Sequence, residues 1–291
     1  MSSKATERWV VGHDGSAGAA TAASWALAQV EGQQLDLDIR RAWQVSVLES
    51  PIDVESFTKL APTAVCDDFD ELVAVGAAAG ASVTGSIVRG GAAHVLLDAS
   101  EQASLLVVGS RGLDGFRRLL LGSVSAQCAT HSHVPTVVVP ASSTVDRPVE
   151  RITVGVDGSE RSLRALEWAV NFRSDGTSIR VVGAWNESKS GYVEVAQITG
   201  HEMQRTYEQF NELLDTFEAK AGHAVRFDRH FVHAHPARAL LAEGAQADLV
   251  VVGARGNSAL SSTILGSVAT HLIHHSETPV VVVPGGAAGH G

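Results

Sequence analysis

The chain states one pattern twice. Trp9-Val10-Val11-Gly12-His13-Asp14-Gly15-Ser16 returns as Ile152-Thr153-Val154-Gly155-Val156-Asp157-Gly158-Ser159. Trp25-Ala26 returns as Trp168-Ala169, with both tryptophans at matching helix positions and read as core, Ala42-Trp43 returns as Ala184-Trp185, and Pro135 as Pro279, at offsets of 142 to 144 residues. A solenoid unit would recur about every 20–50 residues, so a period this long is a duplicated domain. The 291-residue length suits two domains of ordinary size. Residues 141–150, rich in Ser, Asp and Pro, read as the linker between a domain at 1–141 and a second at 150–291.

Each half alternates strand and helix. In the first, a short apolar run ends at Asp14-Gly15-Ser16, and Ala17–Val30 is helical, with Ala20, Ala23, Leu27 and Val30 on one face, Ser16 as its cap and Gly32 as its stop. Strands are expected at Leu35–Trp43, 81–89, 105–108 and Thr136–Val139, the last set off by Pro135 and Pro140. Helices are expected at 67–80, 92–103 and from Ser123 to about His131, and long loops at 44–63 and 186–200. A β-α-β-α-β-α-β-α-β order predicts an α/β fold of two tandem doubly wound domains, each a five-stranded parallel sheet with helices on both faces and right-handed crossovers. Fully apolar runs such as Val280-Val281-Val282-Val283 fit strands buried on both sides. In such sheets a ligand sits outside the carboxyl ends of strands where their order switches.

The fourth strand of each half leads into a glycine pattern. Val107-Val108-Gly109-Ser110-Arg111-Gly112 is followed, after nine residues, by Gly122-Ser123-Val124-Ser125. In the second half Val251-Val252-Gly253-Ala254-Arg255-Gly256 is followed, after nine, by Gly266-Ser267-Val268. Glycines let a ligand approach the backbone, and a helix opened by Gly-Ser presents free amide N–H groups where the dipole favours an anion. This reads as a phosphate cradle. Tight turns and close helix–strand packing are the other use of the same glycines; identical spacing in two copies favours the cradle. Asp14 and Asp157 end the first strand of each half facing the expected crevice, although Asp-Gly is also common turn chemistry. Arg111 and Arg255 are placed either to pair with a phosphate chain or to sit in solvent, and Arg117-Arg118, matched by Ser261-Ser262, reads as surface.

Composition excludes several classes. A net charge of -10 argues against broad binding to a nucleic-acid backbone. Cys66 and Cys128 make neither a disulfide framework nor a zinc spacing, as suits a reducing compartment. Residues 1–8 are polar and no apolar run approaches 18 residues, so neither a signal peptide nor a membrane span is expected, and the reading is cytoplasmic. The 13 histidines include His131, His133, His233, His235, His274 and His275 in close pairs. They lack cysteine or carboxylate partners at metal spacing and read as surface, and His13 and His94 are given no site role, so no metal ligand is assigned. There is no nucleophile elbow, and the cradle lacks the lysine of a Walker A motif, so no catalytic residue is assigned.

On Gly109-x2-Gly112-x9-Gly122-Ser123, Gly253-x2-Gly256-x9-Gly266-Ser267, Gly12-x-Asp14-Gly15-Ser16 and Gly155-x-Asp157-Gly158-Ser159, the chain resembles the universal stress protein family, in its tandem two-domain, ATP-binding form. The resemblance covers essentially residues 9–140 and 151–284. It implies strand order 3-2-1-4-5 with ATP, alone or with Mg, at the carboxyl edge. Gly12 with Asp14 and Gly155 with Asp157 would lie beside the nucleoside, its phosphates or the metal. Ala42 and Ala184 would meet adenine through their backbone. Gly109, Arg111, Gly112, Gly122, Ser123, Val124 and Ser125 would line ribose and phosphates in the first half, and Gly253, Arg255, Gly256, Gly266, Ser267 and Val268 in the second. The last strands of the two halves would pair as a pseudo-dimer, and a further homodimer is compatible with that. The implied role is a nucleotide-dependent sensor or regulator in the stress response. A slow ATPase on the same cradles, or an interaction protein with vestigial ones, are the rivals. The chain departs from the family's Gly-x-Pro after strand three in both halves (Gly90-Gly91-Ala92; Ala234-His235-Pro236), has Ser104 where the family's Asp stands at Asp248, and has Ala269 in place of Ser125.

Overall fold

A computed structural model describes residues 7–30, 35–43, 74, 76, 82–112, 121–186, 195–221, 225–256 and 265–285. The expected loop at 44–63, nearly all of the helix at 67–80, the stop at Gly32 and the Arg117-Arg118 pair lie outside them. The chain forms two compact units, Met1–Pro148 and Val149–Gly291.

In the first unit the described elements are β1 (Glu7–Gly12), α1 (Ala17–Val30), β2 (Leu35–Trp43), β3 (Ser82–Arg89), α2 (Ala92–Ser100), β4 (Leu105–Gly109), α3 (Ser123–His131) and β5 (Thr136–Val139). The strands are parallel in the order β3-β2-β1-β4-β5. The second unit repeats this with β6 (Arg151–Gly155), α4 (Glu160–Phe172), β7 (Ser178–Trp185), α5 (Val195–Ala221), β8 (Phe227–His233), α6 (Pro236–Gly244), β9 (Leu249–Gly253), α7 (Ser267–His275) and β10 (Val280–Val283). Its order is β8-β7-β6-β9-β10. Each sheet thus has the expected order 3-2-1-4-5. Its switch point lies between the first and fourth strands, whose following loops diverge to opposite faces.

The central strands are apolar throughout because both faces are covered. Leu105, Leu106, Val107 and Val108 are all buried, as are Leu249 to Val252. The two faces can be told from glycine contacts. A Cβ on Gly12 would meet Leu96 of α2 and Val108, whereas one on Gly109 would meet Gly18 and Ala19 of α1, so α2 and α1 cover opposite faces. In the second unit Gly155 faces Leu240 of α6 and Gly253 faces Arg161 of α4.

Three local expectations change. The buried face of α1 includes Ala19, Ala22, Ala23, Ala26, Leu27 and Val30, while Ala20 is exposed, because the helix is turned to let small residues meet β4. Trp25 is core and stacks on Trp9 at 6.2 Å between ring centroids, but its repeat partner Trp168 is only half-buried, stacked on Phe172 at 4.7 Å. Residues 195–200, expected in a loop, open the 27-residue α5.

The departure at Ser104 has a structural meaning. Asp248 accepts hydrogen bonds from the backbone N–H of Glu150 and Arg151, at 3.2 and 2.9 Å, and from the Arg151 guanidinium at 3.0 Å, pinning the start of β6 to that of β9. In the first unit Ser104 does this with its own hydroxyl, donated to Glu7 and Arg8. Burial pushes the Asp248 carboxyl up, but these hydrogen bonds outweigh it and hold it below the usual carboxylate range. A lowered folded-state pKa contributes stability above the unfolded value that is lost as pH falls through the folded value. Asp248→Asn is therefore expected to lower the unfolding midpoint at pH 7 and to match wild type in strong acid. A pH series of thermal melts checks this; a gap that persists below the carboxylate range would sink it.

Candidate functional site

Each unit has a cavity at the carboxyl edge of its sheet, about 390 Å³ in the first and about 590 Å³ in the second. Both volumes lie in the range of small-molecule sites. Construction starts at the turn after the first strand. Gly15 and Gly158 have φ of 86° and 78°, the left-handed region that favours glycine, and reverse the chain there. The Asp14 carboxylate accepts the Ser16 backbone N–H at 2.9 Å, and Asp157 accepts that of Ser159 at 3.0 Å and its hydroxyl at 2.6 Å. These bonds use Oδ1. The other carboxylate oxygen lies against Gly112 in one unit and Gly256 in the other, at positions a Cβ would fill. A Cβ at either glycine would push that carboxylate oxygen aside, before any ligand is considered. Ser16 and Ser159 then cap α1 and α4 through their hydroxyls.

The opposite wall is built differently. Gly122 and Gly266 are the N-caps of α3 and α7, in extended backbone and with no side-chain cap hydrogen bond. The loop reaches them through a backbone bond of 2.8 Å, from Gly122 N–H to Ser110 and from Gly266 N–H to Ala254. The first turns of both helices, Ser123 to Ser125 and Ser267 to Ala269, line the cavities. The positive end of a helix dipole, without a side-chain acceptor of its own, therefore faces each cavity. Gly122 differs from Gly109 and Gly112: a Cβ there would make only ordinary contacts of 3.5 Å, and its φ is -77°. Neither packing nor backbone geometry requires glycine at 122.

The structure brings the sequence-derived residues together. Gly12, Asp14, Ala42, Gly109, Arg111, Gly112, Gly122, Ser123, Val124 and Ser125 line the first cavity. Gly155, Asp157, Ala184, Gly253, Arg255, Gly256, Gly266, Ser267 and Val268 line the second. Ser125 needs a qualification. Its buried hydroxyl donates to the carbonyls of Ser110 and Gly122, at 3.1 and 3.0 Å, and so closes the cradle loop onto α3. Ser125→Ala is expected to lower the stability of the first unit by about 1 kcal/mol, with a smaller effect on ligand affinity; a large affinity loss at unchanged melting would refute this assignment.

Several lining residues escape motif reasoning. Leu96, Val108 and Leu121 recur at one offset as Leu240, Val252 and Leu265, so the repeat itself carried a signal for them. His13 and Arg40 line only the first cavity, where the second has Val156 and Val182. His235, expected on the bare surface, is the N-cap of α6 and lines the second cavity with Pro236, whose missing N–H costs nothing at the first helical position. His94 is exposed, 3.4 Å from Asp98. Among the described residues no group of three or more His, Cys, Asp or Glu is arranged to hold a metal ion, and no helix is long and apolar enough to cross a membrane. Burial pushes the Cys128 thiol up to about 12, which leaves it protonated and unreactive.

The sequence model of the Universal stress protein family matches residues 6–140 and 148–284, one match in each unit. A universal stress protein of Mycobacterium tuberculosis is 30% identical over 288 residues, covering 94% of this chain and 95% of its own. A second from that organism is 32% identical over 217 residues, 72% of this chain and 71% of its own. Among solved structures, a universal stress protein from Archaeoglobus fulgidus superposes with a TM-score of 0.69 at 22% identity, covering 96% of this chain and 99% of its own.

Proposed function

Because this chain belongs to the universal stress protein family, we propose that it is an ATP-binding member, one nucleotide to each unit, acting in the cytoplasm as a nucleotide-dependent regulator of the stress response. The observation that carries this reading is the helix N-terminus, without a side-chain cap, at one wall of each cavity, opposite an aspartate held in a fixed turn. The triphosphate belongs at the amide end, where N–H groups and the dipole favour an anion. Ala42 and Ala184, two strands from the cradle, border the base end. Asp14 and Asp157 would repel bare phosphate, so each takes a ribose hydroxyl or a magnesium ion. One carboxylate with phosphate oxygens and water is an ordinary magnesium site.

Regulation asks only that ATP bind two states of the protein unequally. Hydrolysis would need stabilisation specific to its transition state, and the polar side chains named in the cradles are serines and arginines, without a lysine. The test is the nucleotide content of freshly purified protein, released by denaturation and identified by chromatography. About two purine nucleotides per chain are expected, one for each cavity. Gly122→Val and Gly266→Val, which push a branched side chain into one cradle each, should each remove one. A content near zero that stays there after incubation with ATP would overturn the proposal in favour of an interaction protein.

A further inference from the structure

The two cavities share their phosphate ends and differ at the other. In the first, Arg40 lies on β2 beside Ala42, with β1 between it and β4. Two strand spacings put it about 10 Å from the strand that feeds the cradle, at the end left for the base once a triphosphate occupies α3. Its guanidinium is held from below. Nε donates to Asp38 at 2.8 Å, and Asp38, 3% exposed, is also paired with Arg8. With Nε engaged, the two terminal nitrogens remain for the cavity. Arginine has donors and no acceptor.

The second cavity has none of this. Val182 stands where Arg40 is, since each pairs with the glycine that ends the first strand, Gly12 or Gly155. The position of Asp38 is taken by Arg180, which turns to Asp228 and Glu243 on its own unit's β8 and α6. His13 is likewise replaced by Val156, and the second cavity is the larger.

We propose that the first cavity selects a 6-oxopurine nucleotide, guanine or hypoxanthine in type, over adenine through Arg40, while the second accepts adenine. This rests on the nucleotide-binding reading above. A 6-oxopurine offers two acceptors, O6 and N7, to a forked guanidinium; adenine offers N7 but sets an amino donor against it at position 6. Valine at 182 imposes no such choice. A good bidentate contact corresponds to a preference of roughly tenfold or more.

The experiment is equilibrium dialysis of the intact chain against equal, saturating ATP and inosine triphosphate, which differ in carrying an amino group or an oxygen at position 6. Roughly 1.4 inosine nucleotides and roughly 0.6 ATP are expected to be retained per chain, since the roughly tenfold preference acts at the first cavity and the second takes both alike. Gly122→Val should leave about one nucleotide per chain, an equal mixture of the two. Arg40→Val should bring the two nucleotides to about one of each per chain; because it also takes a partner from Asp38, its melting is measured alongside, and the wild-type ratio decides the matter if that variant is unstable. Two ATP per chain, or equal mixtures in both cavities, would overturn the selectivity and leave nucleotide binding standing. Retention of neither nucleotide would overturn nucleotide binding itself.

Discussion

Gly109→Ala is expected to lower the stability of the first unit by roughly 3 kcal/mol, a fall of about 10 °C in its unfolding midpoint for a unit of this size. The added Cβ would stand 2.6 Å from the Gly18 carbonyl oxygen and 3.0 Å from the Ala19 nitrogen. Both are backbone atoms in the first turn of α1, so no rotamer change relieves the overlap. Moving α1 off β4 would open the packing beneath Ala22, Trp25 and Ala26, all of them buried. The same helix end cannot yield from its own side, because a Cβ on Gly18 would meet the Arg111 carbonyl at 2.7 Å. Gly122→Ala adds the same methyl thirteen residues further along, in the cradle rather than at a packing contact; the nearest atoms there are 3.5 Å away, and the midpoint should be unchanged. Thermal melts of the two variants decide it. Equal midpoints would show that the packing reading of Gly109 is wrong. In the second unit Gly253→Ala should cost less, since its Cβ meets Arg161 backbone atoms at 3.0 Å.

Gly122→Ala carries the second large effect, on the ligand. Nucleotide at a hundredfold over its Kd should stabilise a native unit by about 2.7 kcal/mol, simply because it binds the folded state. For the first unit this stabilisation should largely disappear in Gly122→Ala, while the melt without nucleotide stays as in wild type. The reason is the contrast among the glycines. Gly109 is required by the backbone of α1, and a Cβ at Gly112 would press on the carboxylate of Asp14, but at 122 the protein leaves room for a methyl group that would project at the first turn of α3. A ligand seated on those amides would compete for that room. Differential scanning calorimetry with and without nucleotide reads both quantities in one series. Undiminished stabilisation in the variant would mean that the phosphates do not sit at α3.

The sequence by itself determined the duplication, the alternation of strands and helices, and the residues gathered at each sheet edge. Those are properties of local pattern. Apolar runs between glycines and prolines mark buried strands, and Asp-Gly-Ser and Gly-Ser mark turns and helix starts whatever packs around them. Ala17–Val30, Leu35–Trp43 and Thr136–Val139 run as their residues indicate. Only the tertiary structure decided where side chains point and which neighbours they meet. Ser125 reads as a cradle hydroxyl, yet it turns inward to Ser110, fifteen residues back along the chain. Ala20 reads as core and Trp168 as its repeat's core tryptophan, but the rotation of each helix is set by what it must clear on the sheet, Gly109 above all for α1. Arg40 carries no motif. It reaches the site because the strand alternation puts it on the α2 face beside Gly12, over a buried Asp38 held by a residue thirty positions away. Contacts between residues this far apart in sequence leave no periodic trace, and they are what makes the two cavities different.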